Sequence, residues 1–198
     1  MDFIFESKKE NQYIGSELIN LDEKSYISEG SQRIIYAYPE YPDRCIKILK
    51  NKKNRSVDRE LFYLKKYRKL SNSISKFHGK INTNLGLGYI FDLIRNDDGS
   101  ISKTLASEVH NIENDNLKFK IHSLYIDFID RKIVVSDMHS SNILVRYSDV
   151  DFDLYLIDGV GNSDYIKICD YSRWFLKKKL RRKFNRLSKS LDISIDFN

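Results

Sequence analysis

SDMHSSNILV, Ser136 to Val145, is the stretch whose reading decides the fold. It places Asp137 and Asn142 five residues apart in a loop that runs straight into the apolar strand Ile143 to Val145. With 19 Asp and 15 Asn in 198 residues, chance alone gives about 1.4 such pairs, so the spacing needs its context. Before the loop, Ile121, Leu124, Tyr125, Phe128 and Ile129 recur at helical spacing over Leu117 to Asp130. After it, LIDGVG, Leu156 to Gly161, ends a second strand at Asp158 and turns on glycine. A strand-end carboxylate beside a side-chain amide is an oxygen pair suited to Mg²⁺, which takes few protein ligands and completes its shell with phosphates and water. The plainer reading of Asp158 is an aspartate that starts a turn.

Upstream, ISEGSQRIIY, Ile27 to Tyr36, sets Gly30 between two apolar strands, where the missing side chain would admit a phosphate. CIKIL, Cys45 to Leu49, follows a YPEYPD turn and carries Lys47, a point charge for the same phosphates. Strand side chains alternate, so Cys45 and Lys47 share a face. Glu60 stands thirteen residues on, in a helix expected over Asp58 to Leu70, and could hold the lysine by a charge-assisted hydrogen bond. The plainer readings are a hairpin with a lysine at its edge and a solvated acid near a helix start.

Tyr26 to Tyr38 and Arg44 to Leu49 read as strands, and Gly79 to Ile94 as two more around Asn82-Thr83-Asn84. Tyr165 to Leu191 reads as one long helix with the stripe Leu176, Leu180, Phe184, Leu187 and Leu191, to which Trp174 and Phe175 would add a dock onto the core. Strands, a helix, strands and then a helical half make an α+β protein rather than repeated βαβ units. The expected division is a lead-in at 1–25, a small nucleotide-binding lobe at 26–95, and a reduced helical lobe at 96–198.

In this order, glycine turn, strand lysine, helix glutamate, Asp-x4-Asn loop and strand-end Asp-Gly resemble the protein-kinase fold. The resemblance implies a compact bilobal architecture with a reduced C-terminal lobe. It implies ATP contacts at Gly30, Ser31, Ile35, Cys45 and Lys47 and at the hinge residues Asp92 and Ile94. Lys47 would grip the α- and β-phosphates with Glu60 as its partner, Asp137 would be the catalytic aspartate, and Asn142 and Asp158 the Mg²⁺ ligands. Closer still, the runs SEGSQRIIYAYPEYPDRCIKI, RELFYLKKY, FHGKI, GLGYIFDLI, DGSISKTL, IVVSDMHSSNILV and LIDGVG resemble, in order, the PhoP regulatory network protein YrbL family. The sequence departs from protein kinases at three places. Ser28 and Arg33 replace the outer loop glycines, Val135-Ser136 and His139 replace His-Arg and a lysine, and no activation segment follows Asp158.

Charged residues make up 31% and hydrophobic ones 41%, the composition of a globular chain. No apolar run approaches the length of a membrane span, and MDFIFESKKENQ lacks the layout of a secretory signal. Cys45 and Cys169 cannot build a disulfide framework, which fits a reducing cytoplasm. His78, His110 and His122 show no metal-like spacing and read as surface or packing residues. The net charge of +6 is concentrated at one end: residues 171–198 carry nine Lys and Arg against two Asp. The plain reading is a solvated helix face; the functional one is contact between 173–189 and an anionic membrane. Nucleic acid is disfavoured, because no groove-reading motif accompanies the charge. The expected function is ATP- and Mg²⁺-dependent phosphoryl transfer to a small-molecule or envelope-related glycan hydroxyl. The alternatives are a nucleotide-binding pseudokinase with a regulatory partner and a basic membrane or nucleic-acid adaptor.

Overall fold

A computed structural model describes residues 18–51 and 55–197. The protein is α+β, with antiparallel strand pairs and four α-helices among the described residues. It divides into two compact units, Met1–Lys52 with His78–Phe91, and Lys53–Phe77 with Asp92–Asn198.

The first unit is built on a five-stranded sheet in the order β1-β2-β3-β5-β4. The strands are β1 (Tyr26–Glu29), β2 (Arg33–Tyr38), β3 (Tyr41–Leu49), β4 (Phe77–Thr83) and β5 (Gly86–Asp92). The apolar run Tyr26 to Tyr38 is thus two strands, closed at Gly30 by its N–H donating to the Arg33 carbonyl at 2.8 Å. β2 and β3 pair antiparallel with Ile35 opposite Lys47 and Ala37 opposite Cys45. One face of β3 sends Ile46 and Ile48 into a core with Leu21, Tyr38, Ile81 and Ile90. Cys45 and Lys47 alternate onto the other face and are buried as well, so this central strand is covered on both sides. The expected lead-in joins this unit where it is described. Leu21 is in the core, its N–H donates to Asn84 Oδ1 at 2.9 Å, and Ile19 bridges Thr83. Residues 1–17 of that stretch lie outside the described residues.

The second unit holds α1 (Arg55–Tyr67), α2 (Leu105–Glu108), α3 (Asn114–Asp130) and α4 (Arg173–Ser190). It also holds a small sheet, β6 (Lys103–Thr104), β7 (Ile143–Tyr147) and β8 (Phe152–Leu156), in that order. α3 packs on α4 through an aromatic knot. Tyr125 meets Phe184 edge-on at 5.3 Å between centroids and Phe197 at 4.9 Å, while Phe128 meets Phe184 at 6.1 Å. Fully burying one such side chain is worth about 1.5–3 kcal/mol, so the knot fixes the helix pair. The α4 stripe is buried at Leu176, Leu180, Phe184 and Leu187, as its spacing predicts.

Two expectations are corrected here. The helical pattern from Tyr165 begins only at Arg173; before it comes a 3-10 turn at Ile168–Asp170. Trp174 does not dock on the core but is 65% exposed. It precedes Leu176 by two residues, and about 200° of helical turn puts it on the opposite face. β6 and α2, two and four residues long, are too short to leave a periodic signal in the sequence.

Candidate active site

The loop that carries Asp137 is fastened to the Asp158–Gly161 turn from both ends. Val135 and Val160 form an antiparallel bridge, and the Gly161 N–H donates to the Val134 carbonyl at 2.8 Å. The Gly159 carbonyl accepts three bonds, from the N–H of Ser136 at 2.8 Å, the N–H of Asp137 at 3.2 Å and the Ser136 hydroxyl at 3.0 Å. At the far end the Ile157 N–H donates to the Asn142 carbonyl at 2.9 Å. Met138 is buried between these points, so it anchors the loop while Asp137 stays exposed.

Within this frame two of the expected residues meet. Asn142, in a 3-10 turn at Ser140–Asn142, donates from Nδ2 to Asp137 Oδ2 at 3.0 Å. Asp158 Oδ1 accepts the Gly159 N–H at 2.7 Å, a local bond that fixes its rotamer. His139 braces the loop at the surface, with Nδ1 2.8 Å from Ser141 Oγ. Gly159 has φ +79°, and a side chain there would collide with the Asp137 carbonyl and put its Cβ 2.9 Å from Asp137 Cβ. Gly161 is held as tightly: φ is +110°, and a Cβ would lie 3.0 Å from Cγ of Tyr63. The turn is therefore glycine-rich because protein, not ligand, fills the space.

The donor set suits a hard divalent cation. The Asn142 amide turns its nitrogen to Asp137, which leaves its oxygen as the donor for a metal, and Asp158 supplies a carboxylate. Asn142 and Asp158 are the residues that would hold Mg²⁺.

α1 supports the loop from the buried side. The Val134 N–H donates to the Tyr67 hydroxyl at 3.2 Å, and burial pushes that phenol up to about 12. Tyr63 donates to Asp170; burial first, and then this carboxylate, keep its proton in place. Glu60, on the same helix, is buried rather than solvated.

In the first unit Lys47 is 4% exposed, on the central strand rather than at a hairpin edge, with Nζ 4.4 Å from the Phe91 ring centroid. A buried ammonium is costly without compensation, and the aromatic face returns part of that cost. Ile35 sits opposite it and is half-buried; Cys45, two residues away on the same face, is buried. Gly30 and Ser31 are exposed at the β1–β2 turn. Of the expected hinge atoms, the Asp92 N–H donates to the Lys76 carbonyl at 3.1 Å, Asp92 Oδ2 accepts the Lys76 N–H at 2.7 Å, and the Ile94 carbonyl accepts the Ser102 N–H at 3.0 Å.

Sequence reasoning missed two lysines. Lys183 of α4 donates to the Ser136 carbonyl, directly behind Asp137; burial lowers its pKa, and the Asp137 charge works in the opposite direction. Lys179, one turn earlier, is 6% exposed and donates to Asn162 Oδ1 at 2.9 Å and Asp164 Oδ2 at 2.8 Å. Its hydrogen bond holds the Asp164 carboxyl below the usual carboxylate range. Both lysines border the apolar stripe, and that offset is the sequence signal that separates them from the solvated cations.

The family described as "PhoP regulatory network protein YrbL" matches residues 19–192. Two proteins called "Uncharacterized protein YrbL", from Escherichia coli (strain K12) and Shigella flexneri, are each 32% identical over 180 residues, covering 85% of this chain and 86% of their own. The matched span takes in the glycine turn, Lys47, Glu60, the Asp137–Asn142 loop and the Asp158 turn. The chain belongs to the PhoP regulatory network protein YrbL family.

Proposed function

We propose that this protein is a cytoplasmic, kinase-like phosphotransferase that binds ATP and Mg²⁺ and phosphorylates a hydroxyl of a small molecule or an envelope-related glycan. The observation that carries the reading is the 3.0 Å bond from Asn142 to Asp137 in a loop pinned on the Asp158–Gly159 turn. It holds an exposed carboxylate beside an amide, in a loop fastened to the turn that carries Asp158, and this supports a phosphoryl-transfer reading. Lys47 would hold the α- and β-phosphates, and its burial beside Phe91 suits a charge meant for an anionic ligand. Mg²⁺ would neutralise charge on the transferring phosphate. Asp137 would orient the acceptor hydroxyl and take its proton as the new O–P bond forms, the bond to the β-phosphate oxygen breaks and ADP leaves. In this reading the five-stranded unit is the small lobe of a bilobal fold and the helical unit a reduced large lobe.

A nucleotide-binding pseudokinase is the second reading, and Gly30 favours it. Its surroundings are open, with a Cβ no closer than 3.8 Å to the Arg33 carbonyl, so no neighbour requires a glycine there. Turnover of radiolabelled ATP over a panel of sugars, amino alcohols and lipopolysaccharide fragments separates the two. Asp137→Asn should keep nucleotide affinity and lose transfer by about a hundredfold or more, the scale of a general base. Full transfer in Asp137→Asn removes Asp137 from the role; binding without transfer in the wild type establishes the pseudokinase.

A further inference from the structure

The basic face of α4 and the segment before it do not fit a merely solvated surface. Tyr165 is fully exposed, Tyr171 is 90% and Ile166 72% exposed, and Trp174 joins them at the start of the helix. A monomeric protein seldom leaves so many large apolar side chains in ten residues of chain uncovered. Successive residues of a helix turn by about 100°, so Trp174, Lys178 and Arg181 lie in one row on the outer face, with Lys177 and Arg182 flanking it. Lys178 Nζ stands 5.2 Å from the Trp174 ring centroid, which confirms that row. All four of these cations are exposed.

The local acids are engaged by neighbours within the protein. Asp164 is bound by Lys179, and Asp170 accepts bonds from Tyr63 and Asn162. Arg173, at the start of the same helix, pairs with Asp130 at 2.8 Å. The outer surface is thus cationic with aromatic tips, complementary to a surface that is anionic and has an apolar layer beneath. The α4 stripe itself is committed to the core, so the helix cannot lie in a bilayer on that face.

We propose that Tyr165, Ile166, Tyr171 and Trp174 insert into the interfacial layer of an anionic lipid membrane while Lys177, Lys178, Arg181 and Arg182 bind its headgroups. Aromatic rings favour that layer, and each near-surface cation contributes about fivefold in affinity. This docking does not depend on the phosphotransferase reading.

Trp174 is the only tryptophan in the chain, so its emission reports the event directly. The full-length protein is titrated with vesicles of phosphatidylglycerol and phosphatidylcholine in a one-to-three ratio, and with phosphatidylcholine alone. Binding is expected only to the anionic vesicles, weakened by salt, with the emission shifted to the blue and quenched by brominated acyl chains. Lys178→Gln with Arg181→Gln should weaken binding about thirtyfold. Tyr171→Ser with Tyr165→Ser should weaken it with the salt dependence kept. Circular dichroism shows whether each variant is folded, and these exposed sites leave the core intact. Absence of vesicle binding overturns the proposal and leaves an acidic protein as the partner. Binding with unmoved Trp174 emission overturns insertion.

Discussion

Gly30 and Gly159 both stand at turns beside residues expected to handle phosphate or metal, and the fold needs them for different reasons. Gly159 is left-handed and presses on Asp137, so protein packing forbids a side chain. Gly30 has room for one and carries no strained angle. The Asp137–Asn142 loop is therefore assembled by the fold before any ligand arrives, whereas the β1–β2 turn is closed by the Gly30–Arg33 hydrogen bond and tied to the end of β3 by the Lys50 N–H on the Gln32 carbonyl. The Asp137 loop is preorganised by packing against its own turn, and the Gly30 turn is not held by packing against a neighbour.

Gly159→Ala should be the most damaging small substitution. A left-handed alanine costs about 1–2 kcal/mol and overpacking against Asp137 about 1–3 more. A loss of about 2–5 kcal/mol in urea unfolding is expected, and a loss under about 0.5 kcal/mol would show that the loop is not pinned there.

Lys179→Met comes next. It leaves the buried Asn162 amide oxygen short of a charged donor, for a loss of about 2 kcal/mol. Lys179 also holds the Asp164 carboxyl low. A depressed carboxylate adds stability above its unfolded value of about 3.9 and loses it as pH falls through the folded value. Melting temperature followed from pH 6 downward should therefore drop less steeply in the mutant. Parallel curves would mean that the pair contributes nothing.

Gly30→Ala should be the mildest for stability, within about 0.5 kcal/mol, and any loss should appear in nucleotide affinity alone. Equal affinity in mutant and wild type would remove the β1–β2 turn from the phosphate site.

The sequence carried the strands, α1, α3 and the α4 stripe, because each had a period to read. It also brought Asp137, Asn142 and Asp158 into view, since the loop lies between a helix and two strands that fix its ends. It did not separate Lys179 and Lys183 from their neighbours. Nine cations in one terminal segment look alike until the helix phase shows which two face inward. Trp174 was misplaced for the same reason, its phase depending on where the helix starts. The match to the YrbL family rests on runs of sequence, and the family's name points to a regulatory network rather than a reaction.

Thermal unfolding with ATP, in the presence and absence of Mg²⁺, on wild type and Asp158→Asn, tests the central claim most directly. The account predicts that ATP with Mg²⁺ stabilises the wild type by about 2.7 kcal/mol at one hundred times its dissociation constant. It predicts that Asp158→Asn loses the part that depends on Mg²⁺. No shift in the wild type, or equal Mg²⁺-dependent shifts in the two proteins, would contradict it.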